Sequence, residues 1–150
     1  MALYTISHRC GHDAAHQIRG TDTRGERGRR AEWLAGFDCP DCQTAAKAAE
    51  HDAENTIAAA LAAAESLPAL AGTDRQVSRA TTLRAAALDQ LTDLGRSLLD
   101  QASTVEQHRQ LDAQIARGRA ALLARTEAGW WLDRRGAGVR SLVRDAGGAR

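Results

Sequence analysis

Aromatic side chains are nearly absent from this chain of 150 residues: one Tyr, one Phe and three Trp make up 3 % of it. Alanine supplies much of the 43 % hydrophobic content, and small side chains bury little area each, so a broad globular core is excluded and narrow helix–helix seams are favoured. No apolar run approaches the roughly 18–20 residues of a membrane span. The opening MALYTISHRC lacks the charged-then-apolar pattern of an export signal. An excess of one charge is missing as well. Twenty basic and 19 acidic residues leave a formal +1, which argues against coating nucleic acid or an anionic membrane along the whole length. Lys47 is the only lysine. With abundant Ala, Gly, Arg and Asp, that bias fits a GC-rich bacterial genome. Cysteine is limited to three residues, an odd number with no export signal, which fits a reducing cytoplasm where thiolates bind metal rather than each other.

What is present divides into three parts. Residues 3–8 alternate apolar with polar or β-branched side chains and read as a strand; residues 14–18 can return as a second, closed by Gly20. Residues 21–28 form a polar, glycine-punctuated loop. Residues 29–35 fit a short helix with Trp33 and Leu34 on its inner side and Gly36 as its stop. Pro40 then suits a first helical turn, with Asp38 or Asp41 as cap, and helix formers run to about Leu67. Pro68 and Gly72 break that run, and Thr73 to Gln76 has the form of a capping box.

A near-heptad stripe of Val77, Ala80, Leu88, Leu91, Leu94, Leu98 and Val105 follows, continued by Ile115 and Leu122. The expected architecture is mainly α: a zinc ribbon over 1–42 (a short β-hairpin plus a short helix), an antiparallel, coiled-coil-like helical hairpin over 43–128, and a Trp/Arg-rich tail over 129–150. Unbroken from Asp74 to Arg125, the second helix would be about 80 Å long. Ser103 to Glu106 is a further capping-box match that could break it, but no Pro or loop-like run interrupts residues 97–109, so a continuous helix is expected. Its far half would bare Ile115 and Leu122 unless another chain or the tail covers them.

The chemistry lies in two knuckles, Cys10-Gly11-His12 and Cys39-Pro40-Asp41-Cys42. This stretch is too short and too polar to fold on a hydrophobic core alone. Structural zinc takes four ligands in a tetrahedron. Cys39 and Cys42 have the spacing that turns two thiolates toward one point at a helix start, where the helix dipole favours negative charge. Gly11 permits the tight turn that would aim Cys10 and His12 at the same ion. His8, two residues before Cys10 on the same strand face, competes for that position, and His16 is a more distant candidate.

The stretch YTISHRCGH, a glycine, an Arg-rich loop and AEWLAGFDCPDC leading into a helix resemble a group of small bacterial zinc-ribbon proteins. Such proteins are common in actinobacteria and on mobile elements, and most lack an assigned function. The resemblance covers residues 4–42, and Trp130 to Arg135 is similar to a tail motif such proteins can carry. It implies a Zn2+ site at Cys10, His12, Cys39 and Cys42 and supplies no activity.

Four protein ligands would close the metal to water, and the sequence has no phosphate-binding glycine loop, nucleophile–base pair or recognisable carboxylate pair, so it reads as no enzyme. The expectation is a cytoplasmic, non-enzymatic zinc-binding adaptor that partners another protein or itself through the long helix, for example as an accessory or regulatory factor of a phage, plasmid or integrated element. Arg24, Arg27, Arg29 and Arg30 gather on the loop entering the short helix. Together with Trp33 and the basic tail they carry an alternative, a small nucleic-acid-binding protein. A thiol redox role for Cys39 and Cys42 is a third reading, disfavoured because the strand–helix alternation of a thioredoxin-like domain is missing. Trp130 and Trp131 either anchor the tail in a partner's pocket or lock it onto the chain's own helices, and the lock is the commoner use of tryptophan.

Overall fold

A computed structural model describes residues 1–20, 22 and 24–148. The chain divides into two compact units, Met1–Asp52 and Ala53–Arg150. Of the expected 21–28 loop, Thr21 and Thr23 lie outside the described residues, as do Ala149 and Arg150 at the expected frayed end.

In the first unit, β1 (Ala2–Ser7) and β2 (Asp13–Ile18) pair antiparallel, with Tyr4 opposite His16 and Ile6 opposite Ala14. Alternation carries Ile6 and Ile18 to one face, where both are buried. Helix α1 (Glu26–Ala35) packs on this hairpin and ends at Gly36. Trp33 does not face inward as the sequence pattern predicts. It is 51 % exposed and stacks on Phe37, itself 44 % exposed, with centroids 4.5 Å apart. Ala31, Leu34 and Ala35 are the half-buried apolar side chains of this helix, and Trp33, one residue before Leu34, is turned about 100° away.

Helix α2 (Pro40–Ala64) starts on a thiol. The carbonyl of Cys39 accepts from the Gln43 amide at 2.9 Å and its Sγ accepts from the Cys42 amide at 3.4 Å. Cys39 therefore occupies the cap position expected of Asp38 or Asp41. Asp38 is instead paired with Arg9, at 2.9 Å.

The second unit is helical. Helix α3 (Asp74–Asp100) begins at Thr73, whose side chain and that of Gln76 form the expected reciprocal cap. The expected continuous helix does not form. α3 stops at Asp100 and α4 (Val105–Leu123) restarts from Thr104, capped reciprocally with Gln107. The capping box lies one residue beyond the Ser103–Glu106 match. The break lets α4 fold back antiparallel: Ile115 lies over Gly95, and Gly118 over Leu91. A Cβ on Gly95 would come 2.9 Å from the Ile115 Cδ1, so the missing side chain sets how closely the two helices approach.

The helical hairpin of this chain is thus α3 with α4, and it is completed by the tail. Helices α5 (Ala128–Asp133) and α6 (Val139–Gly147) pack on it, burying Ala128, Trp131, Val139, Leu142 and Ala146 against Ala80, Ala87, Leu88, Leu91 and Leu122. Ile115 and Leu122 are therefore covered within the chain. Ala71 joins the α2–α3 connection to the α4–α5 turn, donating to the Thr126 carbonyl at 2.7 Å and accepting from the Ala128 amide at 2.9 Å. Gly72 is needed there, since a Cβ would stand 2.9 Å from that of Ala128. Among the described residues no helix is long and apolar enough to cross a membrane.

Candidate metal centre

The β1–β2 turn is a tight loop closed by the His8 amide on the His12 carbonyl at 2.9 Å and the Gly11 amide on the His8 carbonyl at 2.8 Å. Gly11 takes φ +80 there, a conformation that costs glycine little. The turn meets the α1–α2 connection through two bonds. The Arg9 amide donates to the Phe37 carbonyl at 3.2 Å, and the Cys39 amide donates to Cys10 Sγ at 3.2 Å. An ion pair between Arg9 and Asp38 holds the outer edge and lowers the carboxyl's pKa through that hydrogen bond.

These contacts bring one ligand atom from each of Cys10, His12, Cys39 and Cys42 within 4.8 Å of one another. His12 presents Nδ1, which lies 3.2 Å from Cys42 Sγ and 3.9 Å from Cys39 Sγ. A tetrahedral zinc with Zn–S near 2.3 Å has S···S edges of about 3.8 Å, so the cluster has the size and the donor set to take such an ion. Cys39 is buried, Cys10 and Cys42 are half-buried and His12 is exposed. The four residues can bind a metal ion, and zinc is consistent with them.

The electrostatics fit a site that expects a cation. Cys10 is lowered to about 6, first by the Cys39 amide and then by that of His12. Cys42 is pushed up to about 12, first by hydrogen bonding to the Cys39 thiol and then to that of Cys10. Three sulfurs this close cannot all ionise together without a compensating charge, and a divalent ion supplies it.

His8 is not a competing ligand. It is 5 % exposed and both ring nitrogens are engaged, Nδ1 with the Phe37 carbonyl at 3.0 Å and Nε2 with His16 Nε2 at 2.8 Å. A carbonyl only accepts, so His8 carries a proton on Nδ1 and donates it to Phe37. The pair supports the knuckle from behind, an arrangement no ligand spacing signals.

The other expected site residues are dispersed. The Arg27 guanidinium donates to the Gly20 carbonyl, and the Arg27 backbone amide donates to Asp22 Oδ1 at 3.3 Å. Arg30 lies over the Trp33 ring at 4.0 Å, whereas Arg24 and Arg29 are solvent-exposed. Arg19, Arg27, Arg30 and His16 line a cleft of about 580 Å³ between β2 and α1. Trp131 is 2 % exposed and donates from Nε1 to the Arg125 carbonyl at 2.9 Å, so it locks the tail and cannot anchor a partner. Trp130 meets it edge-on at 5.0 Å and stacks with Arg134 at 4.6 Å. No family model, curated protein or solved structure matches the chain.

Proposed function

We propose that the chain is a non-enzymatic interaction protein whose first unit is organised by a zinc ion on Cys10, His12, Cys39 and Cys42. The observation that carries this reading is the convergence of four protein ligands from two knuckles. A tetrahedral ion so held has no open position for a water or substrate. The exposed Trp33–Phe37 pair beside the knuckle is a suitable anchor for a protein partner.

Cobalt substitution tests the reading. One ion per chain is expected, with intense tetrahedral thiolate–cobalt absorption that azide leaves unchanged. A spectrum that shifts on azide addition would reveal an open coordination position and sink the non-catalytic assignment. A metal-free protein with a reversible Cys39–Cys42 disulfide would return the site to redox chemistry.

The Arg30–Trp33–Phe37 stack next to the arginine-lined cleft favours a second reading, contact with single-stranded nucleic acid. Anisotropy of labelled oligonucleotides at low salt is expected to show binding that falls steeply with salt and on Trp33→Ala. No binding to single-stranded DNA or RNA would remove this reading and leave the first intact.

A further inference from the structure

Arg84 lies on the inner side of α3 and is 3 % exposed. Its Nη1 donates to the Pro68 carbonyl at 2.6 Å, but its Nε is buried without any partner. Among the described residues no carboxylate lies within ion-pair distance of it. Burial pulls its pKa below the ordinary value, yet an arginine guanidinium stays protonated in proteins. A neutral carbonyl is poor compensation for a cation removed from water.

The same side chain lines a cleft of about 310 Å³ whose other walls include Ala58, Leu61, Ala62 and Leu88. That volume is at the lower end of small-molecule sites, roughly 300–1,000 Å³, which are commonly apolar with a few polar groups. The charges around it decide the class of ligand. Arg119 and Glu65 also line the cleft but pair with each other at 2.6 Å. Asp89, exposed on the lining, would repel a polyanion. Asp89 offsets the formal charge of the lining but lies outside ion-pair distance of Arg84, which is thus the one buried charge there without a carboxylate partner. A partner's Asp or Glu side chain could neutralise it but would leave Leu61, which is 52 % exposed, and the half-buried Ala62 uncovered.

We propose that this cleft binds a small organic monoanion, a carboxylate with an apolar body, through Arg84. The site is separate from the metal centre and does not depend on the zinc assignment.

Calorimetric titration of the full chain with phenylacetate and hexanoate, each against its neutral amide, tests the proposal. The acids are expected to bind at least about tenfold more tightly than the amides, the difference expected of a hydrogen-bonded charge. Arg84→Gln, which keeps a donor for the Pro68 carbonyl, is expected to remove that difference. Ala62→Phe fills the cleft, leaves Arg84 in place and should abolish binding even if the first variant folds poorly. Failure of both acids to bind the native chain would overturn the proposal. So would equal binding of acid and amide, or acid binding that survives Ala62→Phe.

Discussion

Removing the metal should unfold the first unit and leave the second standing. Among the described residues of 1–52, the buried aliphatic side chains come down to Ile6 and Ile18, beside Cys39 and His8. Fully burying two isoleucines is worth about 3–6 kcal/mol together. A structural zinc contributes roughly 10–16 kcal/mol in finger peptides, so the ion, not the apolar contact, would dominate the unit's stability. The second unit has its own core around Leu88, Leu91, Leu122 and Trp131 and does not draw on the ion. Amide hydrogen exchange with and without a strong chelator is the decisive assay. Protection of the Gly11, Cys39 and Cys42 amides, which donate to His8, Cys10 and Cys39, should collapse on chelation. Protection across α3 and α4 should persist. If the knuckle amides stay protected in demonstrably metal-free protein, the assignment of the ion as organising centre is wrong.

Metal affinity should rise with pH. Near neutrality the metal-free site keeps Cys42, at about 12, protonated, while Cys10, at about 6, is ionised. The loaded site therefore holds fewer protons, and each proton released makes affinity about tenfold stronger per pH unit; competition with a chromophoric chelator would show this, and a flat profile would contradict it. Trp131→Ala should cost about 3–5 kcal/mol in urea unfolding of the second unit, whereas Trp130→Ala, at a half-buried ring, should cost about 1 kcal/mol; equal effects would refute the lock. Thr104→Ala should cost about 1 kcal/mol by removing the cap that starts α4, read from the same curves.

The four-residue cluster is legible because metal chemistry would fix both residue type and spacing: Cys10 and Cys39 each lead a short turn to a second donor, and few other uses need that pattern. The supporting residues are not. His8 stands two residues before Cys10, and only its burial and its bond to His16 separate a prop from a donor. The end of α3 is hidden from the sequence for a different reason. Residues 101–104 hold no Pro or Gly, so local propensity permits a continuous helix. What breaks it is the tertiary gain of folding Ile115 onto Gly95 and drawing Val143 against Gly118, contacts invisible to a periodicity that runs straight on. Likewise Ile115 and Leu122, whose exposure would call for a second chain, are covered by α3 and by the tail helices, because Gly and Ala at the crossings let the helices close on little apolar volume.

Cys39 both caps α2 and belongs to the cluster that could hold the ion. Residues 43–54 of that helix are exposed on nearly every side and rich in alanine, so tertiary packing supports them little and propensity must do most of the work. Helix nucleation is the costly step, and here it is assisted by the Sγ and carbonyl of Cys39, both on a residue that the ion would also hold. A thiolate fixed by metal is a better acceptor for the Cys42 amide than a mobile thiol, and its charge complements the helix N-terminus. Loading the site should therefore raise helicity within residues 40–52 as well as order the hairpin. Residue-resolved Cα chemical shifts before and after metal addition would show it; unchanged shifts from Gln43 to Glu50 would mean that α2 nucleates without the ion.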